Sequence, residues 1–460
     1  MTVHVFAGPT IGTGRIRELV PHAVPHPPVK HGDLLRLALG PGDVALIIDG
    51  VWHQSAPVRH KEILALLDDG VTVVGAASMG ALRAAELAPY GMVGVGRIFE
   101  DFRAGRLDAD DEVAVLHTPE GEQLSEALVN VRTALNRAVI DEKLSSYDAL
   151  SLLDLARSLP YTRRTWQALG HVARKADLDE PFTALDDWRA THSYDAKRED
   201  TEEALTLVAA GSPVSSASGA WREELWKTSF VRYWAATFRP TEPGIELPFL
   251  PLLQHQQIYD SGFPARWRAR VLSRITGLPS AAPAAQLEAA AIEAASADGM
   301  SLTALAPEQR TFWLTPDEMQ SLPQNKALLR IMVRSARLDG AWDAWPASYA
   351  EAAGLFDAPV QTAERVATAY RINTAVAADN PRYTTAHLDP ERLAQHLLTT
   401  WGLDHHTDPA ARDAAARDRA FRDFAGAVEV TRAFYLGARA ADVNSESTDP
   451  SSTARDSSLI

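Results

Sequence analysis

The stretch Val71-Thr-Val-Val-Gly-Ala-Ala-Ser-Met-Gly-Ala-Leu-Arg-Ala-Ala-Glu-Leu87 decides the fold of the N-terminal half. Its first residues are apolar and mostly β-branched, which is typical of a buried parallel strand. The alanines and leucines from Ala81 onward fit a helix that packs closely on a sheet, and small residues separate the two parts. The stretch therefore predicts a strand, a tight turn and a helix, with Ser78 beside the first helical amides.

Ser78 has two interpretations. The pattern Gly75-Ala-Ala-Ser-Met-Gly80 is similar to a nucleophile elbow, in which small neighbours let a serine occupy a sharp strand-to-helix turn. Ala76 stands where such motifs usually have glycine. The other interpretation is a helix N-cap, a position at which serine is preferred. The motif leaves both a reactive or anion-binding role and a capping role open.

Two further apolar runs, residues 3–7 and 43–49, extend this unit. A helix predicted over 58–69 connects 43–49 to the strand at 71–77, and right-handed crossovers make such strands parallel neighbours. Open parallel sheets bind ligands at the carboxyl ends of their strands. Gly8, Asp49 and Ser78 all fall at such ends, so the sequence predicts a site at this edge of the sheet.

The remaining pattern predicts an α/β fold whose N-terminal parallel-sheet core is followed by a mostly helical C-terminal region. We expect the α/β core over residues 1–120, a helical continuation over 121–210 and a helical accessory domain over 220–441. Residues 22–28 are interpreted as irregular surface, 211–219 as a linker, 221–238 as an aromatic-rich helix and His117 as the end of a strand. The last segment, 442–460, is rich in Ser, Asp and Thr and is expected to be disordered.

Composition excludes several kinds of protein. Asp and Glu number 60 against 45 Lys and Arg, a net charge of −15 that argues against a nucleic-acid binder. The chain has no Cys, which excludes disulfides, thiolate catalysis and Cys-ligated metal centres. No apolar run approaches the length of a membrane-spanning helix, and the histidines lack metal-ligand spacing. We expect a cytoplasmic protein without metal or cofactor and without a membrane partner.

Several of these motifs also resemble one known family. They are Ile47-Ile-Asp-Gly50, His60-Lys-Glu-Ile63, the block from Gly75 to Leu87, Gly91-Met-Val-Gly-Val-Gly96, Asp110-Asp-Glu-Val113, Val129-Asn-Val-Arg132 and Lys197-Arg-Glu-Asp200. In wording and order they are similar to the TfuA-like family, over roughly residues 1–205. The resemblance implies action beside a YcaO enzyme, which activates a peptide amide with ATP and replaces its oxygen by sulfur. It also implies a ThiS-like carrier, ending in a thiocarboxylate, as the sulfur source for a ribosomally made precursor peptide.

If the protein is an enzyme, the resemblance implies hydrolysis of that thiocarboxylate with release of sulfide. Ser78 is then the expected nucleophile, and the amides of Met79 and Gly80 the expected oxyanion donors. Lys61 is the first choice of base, oriented by Asp49, and His60 and His117 are alternatives. The residues expected to bind substrate are Gly8, Gly50, Arg83, Asn130 and Arg132.

The alternative hypothesis is a non-catalytic scaffold that docks YcaO, the peptide or the carrier. In that case the small-residue turn serves only close packing of helix on sheet. The motif residues then belong to an interface, and the protein has no turnover of its own.

Overall fold

The computed structural model describes residues 2–52, 55–118, 120–211, 228–242, 245–337, 346, 349–380 and 382–447. The chain divides into two compact units, one up to residue 226 and one from residue 227. Most of the predicted linker, and residues 221–227 of the predicted aromatic-rich helix, lie outside the described residues. None of the helices in the described ranges combines the length and apolar character needed to cross a bilayer.

The N-terminal unit contains a five-stranded parallel sheet, which confirms the predicted α/β class. Its strands are β1 (Val3–Phe6), β2 (Ala23–His26), β3 (Val44–Ile47), β4 (Thr72–Ala76) and β5 (Val93–Val95). Their spatial order is β2-β1-β3-β4-β5, and every neighbouring pair is parallel. The chain leaves β1 toward one edge and then crosses to the other side. This order puts the topological switch point at the carboxyl ends of β1 and β3, where open sheets bind ligands.

Two strands and one loop differ from the sequence-based prediction. Residues 23–26, interpreted as irregular surface, form an edge strand whose Pro25 is tolerated because one side of that strand has no partner. Residues 93–95 form the other edge. The prediction of a strand that ends at His117 is wrong. Residues 114–116 are irregular, and His117 forms an isolated bridge with Gln123.

Helices pack on this sheet and continue beyond it. Those of the first half are α1 (Thr13–Leu19), α2 (Asp33–Arg36), α3 (His60–Asp68), α4 (Met79–Leu87) and α5 (Arg97–Arg103). The others are α6 (Leu128–Ile140), α7 (Ser146–Ser158), α8 (Trp166–Lys175), α9 (Asp179–Arg189) and α10 (Ala196–Ala209). Helices α6, α7, α8 and α9 share one core of buried side chains. Ala204, Leu205 and Val208 of α10 pack on the sheet instead.

Two glycines explain why α4 lies so close to the sheet. A Cβ on Gly80 would stand 1.8 Å from the carbonyl oxygen of Ile47, and one on Gly75 would stand 2.1 Å from the carbonyl oxygen of Gly80. The backbones therefore touch directly, and the Gly80 amide donates to the Ile48 carbonyl at 3.1 Å. The turn that presents Ser78 therefore requires small residues in this stretch, because larger side chains would clash with the neighbouring backbone.

We expect Gly80→Ala to destabilise the protein by more than about 2 kcal/mol, because the added methyl group meets rigid backbone and not a movable side chain. The measurement is the free energy of unfolding by denaturant. Gly40→Ala is the matched control, since a Cβ there meets nothing within 4 Å. Equal stability of the two variants would contradict the close approach of α4 to the sheet.

The C-terminal unit is mostly helical, as predicted. Its helices are α11 (Ser229–Phe238), α12 (Phe249–Tyr259), α13 (Phe263–Thr276), α14 (Ala284–Ala297), α15 (Pro307–Trp313), α16 (Pro316–Ser321), α17 (Gln324–Ser335), α18 (Tyr349–Ala352), α19 (Pro359–Asp379), α20 (Pro390–Thr400), α21 (Pro409–Asp418), α22 (Phe424–Thr431) and α23 (Tyr435–Ser447). A short antiparallel pair, β6 (Pro240–Glu242) and β7 (Ile245–Pro248), precedes α12. Helix α23 continues past residue 442, where disorder is predicted to begin, and residues 448–460 lie outside the described part.

Candidate functional site

A strained turn presents Ser78 at the end of β4. The preceding residue, Ala77, is fully buried and has φ of 65°, a left-handed conformation that is costly for a residue with a Cβ. Ser78 occupies the N-cap position of α4, but its side chain makes no capping hydrogen bond. Its hydroxyl instead donates to the Val113 carbonyl at 3.4 Å. The hydroxyl is thus directed away from the helix amides and toward the segment that follows α5.

Lys197, near the start of α10, contacts the same carbonyl as Ser78. Its Nζ donates to the same Val113 carbonyl at 3.1 Å, and it lies 3.8 Å from the carboxylate of Asp49. The Lys197 side chain is only 3% exposed. Because Ser78 and Lys197 share one carbonyl oxygen, a hydroxyl and a buried ammonium group stand side by side.

Asp49 holds the loop after β1 against this pair. Its carboxylate accepts hydrogen bonds from the amides of Gly8 and Thr10 at 2.9 and 3.1 Å, and from the Thr10 hydroxyl at 2.6 Å. With the ion pair to Lys197, these bonds occupy both carboxylate oxygens. Asp49 therefore joins the carboxyl ends of β1 and β3 at the switch point of the sheet.

A narrow cavity of about 60 Å³ opens at this place, lined by Asp49, Gly50, Ser78, Val113, His117 and Tyr161 among others. A water molecule takes about 30 Å³ of liquid, so the cavity has room for the end group of a longer molecule. Nδ1 of His117 donates to the Thr118 carbonyl at 2.7 Å, since a carbonyl oxygen only accepts. This bond leaves Nε2 as the ring nitrogen that can take up a proton.

The structure brings Asp49, Ser78 and His117 together, but not Lys61. Asp49 faces Lys197, and the described residues that line the cavity do not include Lys61. Lys61 lies at the start of α3 beside His60. This corrects the expectation that Asp49 orients Lys61 as the base, because the ammonium group beside Asp49 comes from a helix that follows much later in the chain.

His60 and Arg83 belong to a different cluster. Nε2 of His60 lies 2.7 Å from the carboxylate of Glu86, and Arg83 donates to the same oxygen at 2.6 Å. Neither His60 nor Arg83 is among the described residues that line the cavity. They tie α3 to α4, and their expected roles in base catalysis and substrate binding stay predictions. The Gly80 amide, an expected oxyanion donor, is already bonded to Ile48, so the prediction remains for Met79 alone.

Asn130 and Arg132 act on the site through other residues. The Asn130 side chain accepts from the Lys197 amide at 3.3 Å and donates to Asp195 at 3.1 Å, which fixes the start of α10. Arg132 forms two hydrogen bonds with Glu112, at 2.6 and 2.9 Å, next to Val113. Through these bonds both residues lie next to the Lys197 backbone or the Val113 carbonyl, and their expected contact with substrate stays a prediction.

Gly8 and Gly50, also expected at the substrate, pack against neighbouring side chains. A Cβ on Gly8 would stand 2.5 Å from the ring of Pro28, and one on Gly50 would stand 2.7 Å from the Met79 side chain. Only Gly50 also lines the cavity. In the described ranges there is no group of three or more His, Asp or Glu side chains close enough to hold a metal ion.

The positioning role of Arg132 has a measurable consequence. Glu112 is 1% exposed, so Arg132→Met should leave a buried carboxylate without its countercharge and cost about 3–5 kcal/mol. The double variant with Glu112→Gln should recover most of that loss, because the buried charge is gone. Chemical denaturation of both variants tests this. An Arg132→Met protein with unchanged stability and only weaker substrate binding would contradict the positioning role and support the predicted contact with substrate.

Comparison with known proteins assigns the central part of this unit. Residues 49–165 match the family model described as TfuA-like protein. The matched segment contains Asp49, Ser78, His117, Asn130 and Arg132, whereas Lys197 follows it. The comparison with curated proteins found no match. Residues 49–165 of the N-terminal unit are therefore similar to the TfuA-like family.

Proposed function

We propose that this protein hydrolyses the thiocarboxylate of a ThiS-like sulfur carrier and supplies the sulfide to a YcaO enzyme that forms peptide thioamides. The observation that carries the hydrolase proposal is the pairing of the Ser78 hydroxyl with the Lys197 amine on the Val113 carbonyl, at 3.4 and 3.1 Å. Such a pair places a nucleophile that lines the narrow cavity next to a buried cation, which lies 3.8 Å from Asp49 of the cavity wall. The association with YcaO and the precursor peptide rests on the family resemblance.

The size of the cavity suits the end of a carrier chain. A thiocarboxylate is a small anionic group at a chain terminus, and a cavity of about 60 Å³ admits such a group while the rest of the carrier stays outside. The buried Lys197 ammonium group lies 3.8 Å from the lining residue Asp49, and electrostatic interactions are strong where water is largely excluded. The same charge stabilises the extra negative charge that develops when the carbonyl carbon is attacked.

The reaction then needs two acyl transfers. His117 takes the proton of the Ser78 hydroxyl, Oγ bonds to the thiocarboxylate carbon, and the carbon–sulfur bond breaks. The sulfur leaves as hydrosulfide, with the proton returned by His117. Water next attacks the ester carbon and gives a proton to His117, the bond from that carbon to Ser78 Oγ breaks, His117 returns the proton to Oγ, and the carrier leaves as a carboxylate. One thiocarboxylate and one water give one carboxylate and one hydrogen sulfide, so no oxidant or reductant is required.

The test is turnover by the purified full-length chain without any YcaO enzyme. Carrier thiocarboxylate is mixed with a small amount of the protein, and sulfide is quantified over time. We expect many equivalents of sulfide per protein molecule. Sulfide at the rate of the protein-free control would contradict the hydrolase proposal and favour the scaffold hypothesis.

A further inference from the structure

A second cavity lies within the C-terminal unit, far along the chain from Ser78. It has a volume of about 560 Å³ and is bounded by α12, α19, α20 and α23. Cavities of roughly 300–1,000 Å³ between helices are the usual size for small-molecule sites. Helices α19 and α23 pack closely, since a Cβ on Gly437 of α23 would stand 2.7 Å from the Cβ of Ala369 of α19. Loose packing between these two helices therefore does not explain the space.

Aromatic rings form one wall of this cavity. The His255 ring lies 4.7 Å from that of Tyr259 and meets the Phe434 ring edge-on at 5.6 Å. The Tyr259 hydroxyl lies 3.2 Å from Nε2 of His396. Ala369 and Ala438 add apolar surface. A flat aromatic molecule in the cavity can stack on these rings or meet them edge to face, and these are the geometries that aromatic pairs prefer.

His255 is the unusual member of this wall. The residue is 8% exposed, and its Nδ1 is enclosed without a hydrogen-bond partner. Burial, and then the nearby Arg365, lower the pKa of His255 to about 4, so the ring is neutral at pH 7. A neutral imidazole presents one donor and one acceptor. The enclosed Nδ1 is out of reach of a ligand in the cavity, so the ring nitrogen that a ligand can bond to is Nε2.

Charged side chains occupy the open side of the cavity. Glu364 and Arg365 are both exposed there, and Asp442 lines the same space. At this opening the polar end of a ligand is in contact with water and has charged side chains of both signs nearby. The inner wall at His255, by contrast, disfavours an ionised group because it is buried and apolar. The cavity thus distinguishes an uncharged inner end of a ligand from a polar outer end.

We propose that this cavity binds a small aromatic molecule whose uncharged hydroxyl or amide group hydrogen-bonds to the imidazole of His255. The ring of the ligand packs against Tyr259 and Phe434, and its remaining polar groups lie at the charged opening. This site is independent of Ser78 and of the proposed sulfide release.

The probe is 2-naphthol, and its binding to the full-length protein is measured by calorimetry. We expect saturable binding by the unaltered chain. His255→Phe keeps an aromatic ring but no hydrogen-bonding group and should weaken binding about tenfold. 2-Methylnaphthalene, which replaces the hydroxyl by a methyl group, should show the same loss with the unaltered chain. Ala441→Trp, at the exposed opening, should block the probe without changing the core.

A different apolar cavity of the same unit provides the control. It has a volume of about 500 Å³ and is lined by Met300, Leu305 and Met332 among others. Met300→Trp should leave the affinity for 2-naphthol unchanged. The proposal is overturned by absent binding up to about 1 mM, which corresponds to about 4 kcal/mol of binding free energy. It is equally overturned by unchanged affinity in both His255→Phe and Ala441→Trp, or by loss of binding in Met300→Trp alone.

Discussion

The Ser78→Ala protein should fold normally and release almost no sulfide from carrier thiocarboxylate. Loss of a true nucleophile lowers the rate by several orders of magnitude, on the order of 10⁶ in well-studied serine hydrolases. The stability cost should stay at or below about 1 kcal/mol, because the hydroxyl caps no helix and makes one 3.4 Å hydrogen bond. Initial rates of sulfide release and denaturant unfolding are measured on the same preparation.

Ser145→Ala is the matched control for this experiment. Ser145 is the N-cap of α7, and its side chain accepts a hydrogen bond from the Asp148 amide. Its removal should cost about 1 kcal/mol of stability and leave sulfide release unchanged. A Ser78→Ala protein that retains near-normal sulfide release excludes the nucleophile. If the Ser78→Ala protein loses both fold and activity, the Ser78→Cys variant decides whether residue 78 is the nucleophile.

Lys197→Met should also abolish sulfide release, by at least about 10²-fold, because the ammonium group that stabilises the developing negative charge is gone. The variant should be less stable as well. Asp49 is 3% exposed and loses its countercharge, and breaking one side of a buried ion pair costs about 3–5 kcal/mol. Sulfide release and unfolding free energy are again measured together.

The double variant Lys197→Met with Asp49→Asn separates activity from stability. An asparagine at position 49 is able to accept from the amides of Gly8 and Thr10 and to donate to the Thr10 hydroxyl, while carrying no charge. Stability should therefore return while activity remains absent. Recovery of sulfide release together with stability would assign Lys197 a purely structural role. Lys143→Met, at an exposed lysine after α6, should change neither quantity.

The sheet was largely predictable because its inner strands carry their own signal. Residues 44–47 and 72–76 are apolar runs flanked by turn residues, and the helix between them makes them parallel neighbours. The edge strands carry less signal. Residues 23–26 contain a proline and a terminal histidine, a composition more typical of a loop, and only the pairing with β1 makes them a strand.

The site was predictable only in the part that local pattern determines. Strand ends indicated Asp49 and Ser78, since every parallel strand points its carboxyl end to the same edge. Lys197 belongs to the motif Lys197-Arg-Glu-Asp200, whose sequence by itself indicates no role in the site. Its contact with Asp49 depends on how α10 packs on the sheet, aided by the bond from its amide to Asn130. No periodicity within a single sequence reports such a long-range contact.

The choice of Lys61 shows the limit of reasoning from neighbouring motifs. Lys61 and His60 begin the crossover helix close to Asp49 in the chain, and proximity along the chain suggested proximity in space. The start of α3 is fixed instead by Glu62, which is fully buried and accepts from His31 and the Gly32 amide. His60 is paired with Glu86 of α4. The direction of a helix start, not its sequence position, decides which side chains reach the site.

The most direct test of Ser78 as the nucleophile uses the absence of cysteine from this chain. Ser78→Cys introduces a single thiol, and Ser145→Cys introduces one at an unrelated helix cap. Each full-length variant is mixed with carrier thiocarboxylate, quenched in acid and analysed by intact mass. The account predicts a covalent carrier adduct on Ser78→Cys only, formed with release of one sulfide and cleaved by hydroxylamine as a thioester. Sulfide release by Ser78→Cys without any adduct, or equal adducts on both variants, would contradict it.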